Sequence, residues 1–373
     1  MRALYINGKF LAQPLTGVQR YALELLKACD RHRIHNGSSS PWVLLCPNGA
    51  APSRWQSIVV QQAGPRGLPL HLWEQLVLPW AARGGNLLSL AGSAPWLGSA
   101  QHCTFHDAAV FDWPQAYRPL FVAWYRRLFR HQAKQANALF TVSAFSQQRL
   151  SHHLAVPPSR LLVVPNGADH LSAERADEAV LDRLGLRGQP YLLSVCTLHP
   201  AKNLSRLLQA FALLADRPPG LRLVIVGGRN PTVFAASDAR EADPPSDPRV
   251  VWAQRVSDEA LTSLYQHAQA LVFPSLYEGF GLPPLEAMWL GCPVLAAQAA
   301  SVPEICGDAA LYFDPMDHAD MARCMRTLLD DPALRQRLSA AGRTRALRWR
   351  WADAARQLLD HLGRLDIERA SAR

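Results

Sequence analysis

Pro274-Ser-Leu-Tyr-Glu-Gly-Phe-Gly-Leu-Pro-Pro-Leu-Glu-Ala-Met-Trp-Leu-Gly-Cys-Pro293 is the stretch on which the fold turns. Apolar runs flank it, Ala270-Leu-Val-Phe273 before and Val294-Leu-Ala-Ala297 after. An apolar run, a Gly/Pro-rich turn, a helical segment and a second apolar run read as strand, loop, helix and strand, the βαβ unit of a parallel sheet. Ligands of such sheets sit beyond the carboxyl ends of the strands, which here means Ser275 to Leu282.

Two glutamates mark this loop. Glu278 and Glu286 have seven residues between them, among them Gly279, Gly281, Pro283 and Pro284. The glycines let the main chain approach a ligand closely. The prolines suit the first turn of a helix, whose N–H groups attract anions. Glu286 then lies just inside that helix, where it can accept hydrogen bonds from vicinal hydroxyls. Such a loop suits a ligand with a phosphate end and a hydroxyl end. It also reads as a plain surface turn before an acidic helix start, which is favourable by itself.

Glu278-Gly-Phe-Gly-Leu-Pro-Pro-Leu-Glu286 resembles the E-x7-E motif of the retaining glycosyltransferases of family 4. Phe273-Pro-Ser275, Gly291-Cys-Pro-Val294, Ser301-Val-Pro-Glu304, Gly307-Asp-Ala-Ala310 and Asp314-Pro315 follow the same pattern in order. The resemblance implies an α/β protein of GT-B architecture, with two Rossmann-like doubly wound domains facing across a cleft. It also implies a C-terminal helix that crosses back to the N-domain.

Size and composition agree with two domains. The chain has 373 residues, enough for two cores of ordinary size. No apolar run approaches the roughly 20 residues needed to span a bilayer. Met1 to Asn7 is too short and too polar for a signal peptide. Cys29, Cys46, Cys103, Cys196, Cys292, Cys306 and Cys324 are odd in number and form no Cys-x-x-Cys pair. Their scatter points to reduced thiols and a cytoplasmic location, and away from a metal or disulfide framework. Charge is uneven: residues 1–180 carry 17 Lys/Arg against 9 Asp/Glu, and the remainder 22 against 21. The N-terminal half therefore expects an anionic partner.

Residues 2–6 read as a first strand, followed by a polar loop, Asn7 to Thr16, and a helix from Val18 to Cys29 opened by Gly17. A glycine at a helix start after a strand resembles a phosphate-binding turn, though the full G-x-G-x-x-G is lacking. The family resemblance assigns Gly17 to the donor diphosphate. Further apolar runs at 42–46, 58–60, 87–90, 103–105, 138–142 and 161–164 complete an α/β N-terminal domain, residues 1–170. His106 follows one of these runs, and the resemblance places it at the donor sugar. Two segments have interfacial composition: Pro119 to Gln135, basic with an apolar face, and the aromatic-rich His71 to Trp80. Packing on their own sheet is the competing reading.

Polar residues 171–190 read as a linker, 191–350 as the nucleotide-sugar-binding domain and 351–373 as the C-terminal helix and tail. Tyr191–Cys196 is a buried strand, leading to Thr197-Leu-His-Pro-Ala-Lys-Asn203. Lys202, near a helix start, can neutralise phosphate charge. Relatives usually show Gly at the Cys196 position, a basic residue at Ala201 and, in some, Arg at Thr197. Lys202 is thus the main cation of this loop, with Arg229 a second cation at the next strand end. The resemblance sets the nucleotide base against the main chain near Val256. It sets the amides of Phe280, Gly281 and Leu282 on sugar hydroxyls and phosphate, Glu278 at the donor sugar and Glu286 on the ribose.

The resemblance implies a retaining hexosyltransferase without cofactor or metal, and the lack of a D-x-D motif or His/Cys ligand cluster agrees with that. It would move a sugar, mannose favoured, from a nucleoside diphosphate to a saccharide or polyprenyl-linked acceptor in bacterial surface polysaccharide assembly. GDP-mannose is the favoured donor and a UDP-sugar the alternative. The protein is expected in the cytoplasm, with peripheral contact to an anionic membrane. A sugar-nucleotide epimerase of the same fold needs another acid–base set. A two-domain sugar-binding protein is usually secreted. Nucleic-acid binding lacks any known aromatic-basic motif.

Overall fold

The computed structural model describes residues 3–37, 40–50, 55–98, 100–197, 199–215, 220–227 and 247–371, with only the backbone for 365–371. The chain divides into two compact units. The first comprises Met1–Phe111, Ala123–Asn166 and Arg350–Arg373; the second comprises Asp112–Val122 and Gly167–Trp349.

The first unit is built on seven strands: β1 (Leu4–Asn7), β2 (Trp42–Pro47), β3 (Ile58–Ala63), β4 (Asn86–Ser89), β5 (Gln101–Thr104), β6 (Ala138–Thr141) and β7 (Leu161–Val163). They pair in parallel in the order β3-β2-β1-β4-β5-β6-β7. Strands covered on both faces read as continuous apolar runs rather than alternating ones, which is why these were visible in the sequence. The order reverses between β1 and β4, so the carboxyl ends of these two strands flank the crevice of this unit.

Helix Gly17–His35 runs past the predicted end at Cys29, and Asp30 and Arg33 remain buried in its last turns. The Arg33 guanidinium lies over the Trp42 ring at 4.6 Å. Helix Trp351–Ser371 packs along Gly17–His35 and buries Trp351, Ala354, Ala355 and Leu358, one stripe at helical spacing. The Tyr21 and Trp351 rings meet at 6.1 Å. Helix Pro119–Gln135 buries Leu128, Phe129 and Ala133, and Phe129 stacks on Phe105 at 4.1 Å. Its main apolar face therefore packs on its own sheet.

The second unit has six parallel strands: β8 (Tyr191–Val195), β9 (Arg222–Val226), β10 (Val250–Gln254), β11 (Ala270–Phe273), β12 (Val294–Ala297) and β13 (Ala310–Phe313). Their order is β10-β9-β8-β11-β12-β13, with the reversal between β8 and β11. Leu192, Ile225, Val272, Leu295 and Phe313 fill the core with Phe211 and Met325. Gly227, just past β9, sits so close to the next loop that an added Cβ would meet the Cys196 carbonyl oxygen at 1.6 Å.

The segment expected as a linker, 171–190, is a packed part of the second unit. It carries helix Ala179–Arg183, whose Val180 and Leu181 are buried, and Leu186 is buried beyond it. The Asp177 amide donates to the Glu259 carbonyl at 3.0 Å. With Leu171, four buried apolar side chains outweigh the polar composition around them. No helix among the described residues is long and apolar enough to cross a membrane.

Candidate active site

In the second unit the loops after β8 and β11 are bonded to each other at the reversal of strand order. The Leu276 amide donates to the Ala201 carbonyl at 2.7 Å, and Asn203 Nδ2 donates to the Pro274 carbonyl at 3.1 Å. His199 caps the short turn Pro200–Lys202, its Nδ1 accepting from the Ala201 amide at 3.1 Å. Burial and the neighbouring Lys202 hold the His199 imidazole down at about 4, so it stays neutral and keeps this acceptor role. Asn203 takes the left-handed conformation that turns the chain into helix Leu204–Ala212. This turn aims Lys202 at the glutamate loop, where its Nζ meets Glu278 Oε1 at 2.6 Å. Ser301 donates to the Glu278 carbonyl at 3.0 Å and fixes the main chain behind that carboxylate.

Gly281 has φ +103°, open to glycine, and precedes helix Leu282–Leu290. Pro283 and Pro284 have no N–H, so the helix start offers an anion fewer donors than an ordinary first turn; the Leu282 amide is the one it contributes, with the Gly281 amide before it. Phe280 is buried edge-on to Trp349 at 5.6 Å.

Glu286 is only 5% exposed. Tyr265 donates to its Oε2 at 3.0 Å, and His170 Nε2 lies 3.2 Å from its Oε1. Burial, then the adjacent carboxylate, pushes the Tyr265 hydroxyl well above its ordinary range, so it is a proton donor at any working pH. Thr197 is half-buried on the Lys202 loop. Val256 is half-buried at another strand end, before the Ser257 cap of helix Asp258–His267. Arg229 lies outside the described residues.

In the first unit, Gly17 opens its helix with nothing within 4 Å of where a Cβ would stand. Gly92 joins this turn to His106: a Cβ there would lie 3.6 Å from the His106 ring and 3.9 Å from Val18. His106 Nε2 lies 2.9 Å from the Leu90 carbonyl oxygen, and its ring meets Tyr21 edge-on at 4.9 Å. Burial lowers its pKa to about 4 despite the Leu90 bond. The imidazole is therefore neutral, with Nε2–H directed at the carbonyl and Nδ1 left as an acceptor.

One cluster at the β1/β4 reversal escapes sequence reading. Lys9 and Glu74 are 3% and 1% exposed, and Lys9 Nζ lies 2.6 Å from Glu74 Oε2. Ser93 Oγ donates to Glu74 Oε1 at 2.7 Å and accepts from Lys9 Nζ at 2.8 Å; Asn7 Nδ2 donates to Glu74 Oε1 at 2.9 Å. Glu74 sits in a π-helical turn, Trp73–Val77, a geometry frequent at functional sites. Sixty-five residues separate the pair, and no local motif announces it.

Each unit thus sets an ion pair at the point where its strand order reverses. The fold is the GT-B architecture of glycosyltransferases. Residues 15–170 match the model of glycosyltransferase family 4, and residues 178–345 match that of glycosyl transferases group 1. The chain belongs to this family. It is 29% identical to O-antigen chain mannosyltransferase B of Escherichia coli, over 93% of this chain and 96% of that protein. It is 32% identical to the MMP alpha-(1->4)-mannosyltransferase of Mycolicibacterium hassiacum, over 74% of this chain and 66% of that one. Among solved structures, Anabaena HepE in complex with UDP-glucose superposes with a TM-score of 0.70 over 97% of this chain and 99% of that one, at 17% identity.

Proposed function

We propose that this glycosyltransferase is a retaining hexosyltransferase that takes mannose from GDP-mannose and passes it to a saccharide or polyprenyl-linked saccharide in bacterial surface polysaccharide assembly. The observation that carries the reading is the Lys202–Glu278 pair at the β8/β11 reversal, with Glu286 held about one turn into the adjoining helix. A cation beside a carboxylate suits a diphosphate joined to a sugar, and a second carboxylate suits a ribose. The two mannosyltransferase relatives favour mannose, and the name of the Escherichia coli protein favours a polysaccharide acceptor.

In this reading the acceptor hydroxyl attacks the anomeric carbon on the face that the leaving group vacates. The new C–O bond forms as the sugar–phosphate C–O bond breaks, and the hydroxyl proton passes to the leaving phosphate oxygen. Charge grows on the diphosphate, and stabilising that charge dominates such catalysis. Lys202, the Leu282 amide and the Gly17 turn meet it, without need of a divalent cation. Neutral His106 orients the donor sugar through Nδ1. Arg229, Thr197 and the main chain at Val256 complete the nucleotide side, and Phe280 and Gly281 present amides to the sugar.

The proposed location is the inner face of the cytoplasmic membrane, held peripherally by the first unit. Leu72, Leu76 and Trp80 recur one turn apart and are exposed, Leu76 by 66% and Trp80 by 76%. Trp96 ties this face to the basic helix: its amide donates to Gln75 Oε1 at 2.7 Å, and its ring lies 6.0 Å from Trp124. Arg83, Arg127, Arg130 and Lys134 are exposed around it, a pattern suited to anionic headgroups.

A binding panel of GDP, UDP, ADP and dTDP, read by thermal shift on wild type and Glu286→Ala, tests the donor class. GDP is expected to stabilise wild type and lose that effect in the variant. Transfer with the selected sugar nucleotide then gives the anomer of the product by NMR, and an inverted anomer would end the retaining reading. Activity is expected to survive EDTA.

A further inference from the structure

We infer that His170 and Tyr265 are positioning residues that hold the Glu286 carboxylate for a vicinal diol, and so set the preference for a ribonucleotide over its dideoxy form. The inference rests on the reading of Glu286 as the ribose-binding group.

A carboxylate this deeply buried loses hydration that neighbouring donors and charges must replace. Glu286 has two neighbours from different elements, a hydrogen-bond donor at one oxygen and an imidazole at ion-pair distance from the other. Tyr265, on helix Asp258–His267, reaches Oε2; His170, on the segment following the first unit's last strand, reaches Oε1. An ionised carboxylate has roughly four acceptor sites. Tyr265 takes one site of Oε2, and His170 stands beside Oε1 at 3.2 Å, so both oxygens keep a site for a ligand. Two adjacent hydroxyls on one ring need that pair.

The surroundings are arranged to keep the carboxylate still. Tyr265 Oη also lies 3.3 Å from the Pro283 carbonyl in the first turn of the Glu286 helix. Trp289, three residues beyond Glu286, donates from Nε1 to the Leu171 carbonyl at 3.0 Å. Glu286 and Trp289 therefore reach adjacent residues of one segment, His170 and Leu171, from one face of a helix. That double attachment fixes the distance between His170 and the carboxylate. The helix is held at its other end by Arg343, whose Nη2 donates to the Leu290 carbonyl at 3.0 Å. His170 follows the Val164-to-Asp169 stretch directly, and nothing in its sequence context marks it.

The test uses the full chain with GDP and 2′,3′-dideoxy-GDP, and with UDP and its dideoxy form as a second pair, titrated by calorimetry. Wild type is expected to bind the ribonucleotide about tenfold or more tightly than the dideoxy form. In His170→Gln and in Tyr265→Phe, which loses only a hydroxyl, that ratio is expected to fall severalfold, with dideoxy affinity unchanged. Glu286→Gln should show the same loss. A variant that weakens both ligands equally, or that keeps the wild-type ratio, overturns the positioning role. Absence of any ratio in wild type overturns the ribose reading of Glu286, and the inference with it.

Discussion

Lys202 and Glu278 stand 76 residues apart in the chain and meet at 2.6 Å, one from each side of the β8/β11 reversal. The carboxylate holds the ammonium where a diphosphate is expected, and it also competes with that diphosphate for the same charge. Lys202→Ala should lower kcat by about 10²–10³ and weaken nucleoside diphosphate binding. Glu278→Gln should also lower kcat, yet bind the free diphosphate several times more tightly, because Lys202 is released. Steady-state kinetics beside calorimetric titration separates the two variants. Parallel losses of affinity in both would sink this division of labour.

The Lys9–Glu74 pair is buried deeply enough that either charge alone is costly. Glu74→Leu is expected to destabilise by about 3–5 kcal/mol, since it strands the Lys9 ammonium among Ser93 and Asn7. Lys9→Met with Glu74→Leu should recover much of that loss. Denaturant unfolding of the two variants measures the coupling, and simple additivity would mean that the pair is not a unit.

Acid should weaken the first unit through His106. Its folded pKa is about 4 against an ordinary 6.5, so below 6.5 the unfolded chain binds a proton that the folded chain refuses. The stabilisation is complete above 6.5 and is lost as pH falls towards 4, by at most about 3 kcal/mol. His106→Gln should flatten the melting temperature against pH across that window. An unchanged slope would assign the acid sensitivity to other groups.

Leu76→Glu with Trp80→Glu should abolish co-sedimentation with vesicles containing phosphatidylglycerol and leave the melting temperature nearly unchanged, because both side chains face outward. Retained vesicle binding would remove this face from the proposed attachment.

Sequence reading reached furthest where structure is local. The four-residue runs at β11, β12 and β13 are apolar throughout, each with a proline close to one end, so their type could be read. The glutamate loop and Lys202 were singled out by their places after apolar runs and by the family resemblance, and the fold brings Lys202 and Glu278 together. Lys9 with Glu74 and Tyr265 with Glu286 were not, because tertiary packing alone joins residues so far apart in the chain. The sparse donors at helix Leu282–Leu290 were legible in principle, since Pro283 and Pro284 announce them. The packing of residues 171–190 was hidden because four buried apolar side chains are diluted by charged neighbours that face solvent.

Trp351 closes over Tyr21 from a helix that the ribosome makes after the whole of 167–349. During synthesis, then, the long continuous stretch of the second unit is complete while the earlier-made first unit still lacks its cover. Until residue 350 and beyond emerge, the side of Gly17–His35 that packs on the last helix, Tyr21 at its centre, lacks that cover. A nascent chain stalled before Trp351 is therefore expected to be recognised as unfinished at its beginning, not at its end.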